Sequence, residues 1–150
     1  MADLSSNQIP VYAITPKTAM GTGTALTAGT LGSNTNAVTI MTASASGSRV
    51  YSLIATTDDT AAVNLYIFIQ TSGGTVQPIA QVNVPLRSGD TASTKAVDCL
   101  DSTVAVGMHI DNNGKRYIEL ANGDLLRFAT VANMTAGKKI YLTAQSADYV

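Results

Sequence analysis

From Arg49 onward the chain alternates apolar and polar residues at period two, the spacing of a strand with one buried face. "RVYSLIATT", "AVNLYIFIQT" and "TVQPIAQVNVP" each carry β-branched and aromatic residues in this rhythm. The middle run is apolar almost throughout, which predicts a central strand. Asp58-Asp59 and Ser72-Gly73-Gly74 break the runs, and the glycines sit where a hairpin turn needs positive φ. Pro78 cannot donate to a ladder, so the third run is expected at a sheet edge or bulged near that residue. Three more alternating runs, Lys115–Ala121, Asp124–Val131 and Lys138–Ala144, close the chain. Asn122-Gly123 between the first two predicts a type I′ turn, and Thr135-Ala136-Gly137 plays the same part less strictly, so the three strands are expected to be hairpin-linked.

The first third reads differently. Thr18 through Ser48 contains no Asp, Glu, Lys or Arg. It holds the alternating "NAVTIMTA", and its Gly21, Gly23, Gly29 and Gly32 suggest turns or close backbone approach. An ordered but lightly packed segment is expected, able to lie against another protein at small desolvation cost. Before it, "QIPVYAITPK" is kept extended by two prolines, which disfavour helix at the residue before each. The expected organisation is therefore an N-terminal arm over residues 1–17 and a single domain over 18–150. Between Arg87 and Met108 the alternation weakens, and one helical turn is expected around Val97 to Leu100. With about eight or nine short strands and no long amphipathic helix, the fold class is all-β: an antiparallel β-sandwich of jelly-roll or related Greek-key topology.

Composition narrows the functions. Nine Lys and Arg against ten Asp and Glu leave a net charge of −1, without the basic excess that binding a nucleic acid draws on. The single cysteine, Cys99, is expected to be a buried, inert thiol, since it has no partner for an intrachain disulfide or a multi-cysteine zinc site. No apolar run approaches the ~18 residues of a membrane span, and "MADLSSNQIP" lacks the basic and apolar regions of a signal peptide, so synthesis in the cytosol is expected.

Candidate chemistry is sparse. "GTGTAL" at 21–26 has Leu26 where a dinucleotide-binding loop has its third glycine, and no helix is predicted after it. His109 is the sole histidine, and its place between Met108 and Ile110 at the start of a strand suits a packed or hydrogen-bonded residue better than a general base. "DNNG" at 111–114 begins like a calcium loop, but Lys115 and Arg116 stand where the next ligand and the glycine belong; a turn from Ile110 to Tyr117 accounts for it. Asp58-Asp59, Asp98 and Asp101 are expected to be solvated loop charges. No catalytic residue, metal or cofactor is expected, and the chain is read as a non-enzyme.

The C-terminal half supplies a resemblance. "VDCLDS" at 97–102, the Asp111–Gly114 turn, "YIELANGDL" at 117–125, "TAGK" at 135–138 and Asp148-Tyr149 stand in the order of the small virion proteins of tailed bacteriophages, and residues 36 to 150 resemble them. The resemblance implies a β-sandwich virion protein, a head decoration or cement protein on the capsid exterior, with a tail or head-to-tail junction component as its rival. It implies the major capsid protein and neighbouring copies of the chain as partners, with no nucleic acid or membrane, and a homotrimer as the assembly. The contacts are expected from the uncharged N-terminal part: Ile9, Val11, Tyr12, Ile14, Thr22, Thr24, Leu26 and Leu31. A carbohydrate-binding sandwich has a similar composition and stands as the competing class.

Overall fold

The computed structural model describes residues 15–24, 29–101 and 108–149. These form ten strands: β1 (Thr15–Thr24), β2 (Val38–Thr42), β3 (Ser48–Thr57), β4 (Val63–Gln70), β5 (Val76–Val84), β6 (Val97–Asp98), β7 (His109–Ile110), β8 (Arg116–Leu120), β9 (Leu125–Thr130) and β10 (Lys139–Asp148). One sheet runs β1-β10-β3-β8-β7, with β6 also on β3, and the other runs β2-β9-β4-β5. Every pairing is antiparallel.

The pairings nest. β1 takes β10, β2 takes β9, β3 takes β8 and β4 takes β5. This is one long antiparallel hairpin, tipped by the β4–β5 turn and rolled so that successive pairs fall in alternate sheets. The roll is sealed by β10 on β3 and β9 on β4. That is a jelly-roll sandwich.

Period-two alternation sends one row of each strand inward. Leu53 on β3, Leu65 and Ile67 on β4, Leu126 and Phe128 on β9, and Ile140 and Leu142 on β10 are wholly buried between the sheets. Each such side chain contributes about 1.5–3 kcal/mol. Within the charge-free stretch, Ile40 and Met41 join this core. Gly21 lets β1 come close to the other sheet: a Cβ there would meet the Thr39 carbonyl oxygen at 3.0 Å and Ile40 Cα at 3.2 Å. The glycines of "GTGTAL" thus belong to a strand.

β4 is an interior strand, as its apolar run predicts. β5 is the edge strand, and its register with β4 shifts beside Pro78, where Ile67 faces Ala80 and Phe68 faces Pro78. Ser72-Gly73-Gly74 makes a true hairpin, with Gly74 at φ 88° and the Thr71 amide bonded to the Thr75 carbonyl.

The last three strands are not hairpin-linked. β8 and β10 lie in the six-stranded sheet and β9 in the other, so both connections are arches that cross the sandwich. At Asn122-Gly123 the Asp124 amide bonds to the Ala121 carbonyl and Gly123 alone has positive φ, 74°, which is a type II rather than a type I′ turn. An arch leaves amides that a hairpin would pair, and carboxylates take them up. Asp124 accepts from Ala121 N at 3.0 Å and Ser72 N at 3.2 Å. At the second arch Asp59 accepts from Thr135 Oγ1 at 2.6 Å and Thr135 N at 3.0 Å, and also from Ala61 N at 3.1 Å. Asp59 is therefore a buried structural acceptor and not a solvated loop charge. Burial works against its ionised form, but the hydrogen bonds from Thr135, Ala61 and Thr60 outweigh that and hold its carboxyl below the usual aspartate range.

The helical turn expected at Val97 to Leu100 is absent. Val97 and Asp98 pair with Ala55 and Ile54 of β3, the Cys99 amide reaches the Leu53 carbonyl at 2.8 Å, and Asp98 Oδ1 accepts from Leu100 N. A strand with an open neighbour captured these residues. Cys99 itself is fully buried, and burial, aided by the Asp98 charge, pushes its thiol up to about 12.

Candidate binding cleft

β3 changes partner along its length. Ser48 to Val50 pair with β8, whereas Ile54 and Ala55 pair with β6. On its other flank the register with β10 shifts, because Ser52 faces Gln145 while Val50 faces Ser146, so Tyr51 is the extra residue of a bulge. The break opens a cleft of about 410 Å³ lined by Tyr51, Asp98, Leu100, Ile110, Lys115 and Arg116, among others. A second cavity of about 400 Å³ shares Tyr51, Lys115 and Arg116 and adds Arg49, Asp111 and Tyr117. Tyr51 is 49% exposed and Ile110 61%, so the rim offers apolar surface between cations.

The β7–β8 hairpin shapes one wall. Asp111 and Lys115 bracket Asn112-Asn113-Gly114: the Gly114 amide bonds to the Asp111 carbonyl, Gly114 has φ 76°, and the Asp111 amide bonds to the Lys115 carbonyl. Asp111 Oδ1 accepts from Asn113 N at 2.9 Å and Lys115 N at 2.8 Å, so "DNNG" is the expected turn. His109, opposite Tyr117, stacks on it with ring centroids 5.4 Å apart.

Next to the cleft, Arg49 is held in place. Its Nε donates to Glu119 Oε1 at 2.8 Å and to the Tyr149 hydroxyl at 3.1 Å, and its guanidinium lies 4.2 Å from the centre of the Tyr117 ring. Tyr149 donates in turn to Glu119 at 2.7 Å. Burial disfavours the Arg49 charge, but the Glu119 carboxylate and the Tyr149 oxygen outweigh it and raise its pKa; burial and Glu119 raise that of Tyr149. The neighbouring Asp148 bonds to Ser48 Oγ at 2.6 Å and pairs with Lys17. The C-terminal Asp-Tyr thereby fastens β10 to both β1 and β3.

Of the residues expected to touch a partner, Ile9, Val11, Tyr12, Ile14 and Leu26 lie outside the described residues, as does most of the proposed arm. Thr15, Pro16 and Lys17 are paired with β10. Thr22 and Thr24 are exposed on β1. Leu31, 57% exposed, rides on a turn in which Ser33 N bonds to the Thr30 carbonyl and Gly32 has φ 80°. None of these three lines the cleft. Sequence reasoning missed Arg49, Tyr51 and Arg116 as a group, because only a bulge and a change of strand partner bring them together. Among the described residues no cluster of three or more His, Cys, Asp or Glu side chains could hold a metal ion, and no helix is long and apolar enough to cross a membrane.

The jelly-roll sandwich is the class this architecture defines. No family model and no curated protein matches the chain. Among solved structures it is similar to a chain of the cyanophage Pam1 capsid asymmetric unit, at 16% identity over 99% of each chain and a TM-score of 0.45. At that score the likeness carries no weight for function.

Proposed function

We propose that the chain is a structural protein of a tailed-bacteriophage virion, and more narrowly a head decoration protein on the capsid exterior. It acts through contacts with the major capsid protein and with neighbouring copies, as a homotrimer. The observation that carries this reading is where the motifs of the resemblance fall. Asp111–Gly114 is the β7–β8 turn, Tyr117–Leu125 and Thr135–Lys138 are the two arches, and Asp148-Tyr149 is the clamp on β1, β3 and β8. The shared features are the frame of the sandwich.

β1 supports the reading further. It ends its sheet, and its outward row of Thr18, Met20, Thr22 and Thr24 is exposed and uncharged. Such a row can be covered by a neighbour with little desolvation, and a ten-residue edge invites cover. Several weak contacts of this kind gain from being held together in a trimer. Cryo-EM of the intact particle is the test: groups of three copies on the head are expected, and density confined to the tail overturns the decoration role. Deleting residues 2–14, which leaves β1 whole, is expected to lower capsid occupancy; full occupancy removes the arm from the contact.

A further inference from the structure

We infer that Asn122 is a site of spontaneous modification, converting to isoaspartate through attack by its own main chain, and that the fold shields the other Asn-Gly pair, Asn113-Gly114, from the same reaction. Both asparagines are exposed, and each precedes a glycine, whose missing side chain leaves the following amide uncrowded. The Gly123 nitrogen gives its proton to hydroxide and attacks Asn122 Cγ. The side-chain amide leaves as ammonia, taking a proton back from water, and a cyclic imide closes. Water then opens the imide. Cleavage at the side-chain carbonyl gives aspartate, and cleavage at the main-chain carbonyl gives isoaspartate, in which the chain runs on through Cγ. The net change is water taken up and ammonia lost, with nothing oxidised or reduced.

The two turns differ at the attacking nitrogen. Gly114 N donates to the Asp111 carbonyl at 3.0 Å, and Asp111 Oδ1 tightens that turn by accepting from Asn113 N at 2.9 Å and Lys115 N at 2.8 Å. Gly114 must break a bond before its nitrogen can reach the Asn113 side chain. Gly123 N makes no hydrogen bond among the described residues, and neither does the Asn122 side chain. The bonds of its arch, from Asp124 N to the Ala121 carbonyl and from Ala121 N to Asp124 Oδ2, close around the dipeptide without engaging either reacting group. Asp111 and Asp124 each stand two positions from their asparagine, so the charge beside the two sites is alike and the hydrogen bond decides. Isoaspartate adds a methylene to the main chain between Ala121 and Asp124, whose 3.1 Å contact spans the insertion, and so loosens the β8–β9 arch. The inference does not depend on the virion reading and can fail or hold without it.

The test incubates the full chain at neutral and mildly alkaline pH, native and in parallel unfolded in urea, and follows both dipeptides by peptide mapping with fragmentation that tells isoaspartate from aspartate. In the native chain Asn122 is expected to convert about threefold to tenfold faster than Asn113, the factor that freeing one hydrogen-bonded amide represents. The rate should rise with pH, and both isoaspartate and aspartate should form. In urea the two rates should converge, because the Asp111 turn is gone. Asn122→Ala should abolish conversion at that position and keep its Tm through the same incubation, while aged wild type melts below fresh protein. Equal native rates, a faster Asn113, or a difference that persists in urea overturns the proposal. So does aspartate as the sole product, which is the mark of direct hydrolysis, and an unaltered Tm in converted protein contradicts the loosened arch.

Discussion

Replacing Asp59 with Ala should be among the most destabilising single changes in the molecule that leave the apolar core intact. The carboxylate is 1% exposed and accepts hydrogen bonds from Thr135 Oγ1, Thr135 N and Ala61 N. Hydrogen bonds to a charged group contribute about 1.5–3 kcal/mol each, and their loss is not additive once the loops relax and water enters, so about 3–5 kcal/mol is expected. Urea denaturation at pH 7, compared with wild type, reads this directly. The pH dependence gives a second handle. The folded-state pKa of Asp59 is depressed, so its ionisation stabilises the protein fully above about 3.9, the ordinary aspartate value, and that contribution disappears as the pH falls through the folded value. Asp59→Asn removes the titration, so the stability gap between wild type and this variant should narrow on acidification below about pH 4. A cost under about 1 kcal/mol for the Ala variant, or a gap to Asn that does not move with pH, would refute the view that this carboxylate holds the second arch.

Two further outcomes follow from geometry. Gly123→Val places a β-branched residue at φ 74°, where the nearest contact, Ser72 Cβ at 3.4 Å, is ordinary, so the backbone strain alone should cost more than about 1 kcal/mol and lower Tm by at least about 2–4 °C; an unchanged Tm contradicts it. Cys99, with its thiol pushed up to about 12, should resist iodoacetamide at pH 8 in the native protein and react once the chain is unfolded in urea; rapid native labelling contradicts its burial.

Strands were legible where burial on both faces or a special residue left a local mark. The near-continuous apolar run from Val63 to Ile69 announced an interior strand, and Pro78 announced both the edge and the bulge beside it. Turns were legible as turns, because Gly74 and Gly123 answer to local φ. What a turn joins is a different matter. Period-two alternation states which face is buried but not which strand lies alongside, so Tyr117–Leu120 and Leu125–Phe128 read as a hairpin although they lie in opposite sheets. The signal that separates the two cases is the acid beside each arch: Asp124 and Asp59 replace a missing strand partner, and in sequence they look like loop charges. The cleft was illegible for the same reason. Tyr51 and Arg116 meet only because β3 leaves one partner for another, and nothing local to either residue records that exchange.

The nested pairing bears on how the chain is made. Thr15 faces Asp148, and β10 lies between β1 and β3, so the strand synthesised last is the one that two early strands wait for. β4 and β5 can join as soon as they leave the ribosome, because they are neighbours in sequence. β3, β2 and β1 then find partners in that order as β8, β9 and β10 emerge. Folding should therefore run from the middle of the chain outward and close with β10, at the slow rates typical of distant β pairing. Until β10 arrives, the backbone edges of β1 and β3 that it pairs stand open, and a chain stopped short of Lys139 would lack an interior strand of its larger sheet. Loss of the last dozen residues should leave an aggregating fragment instead of a smaller stable domain.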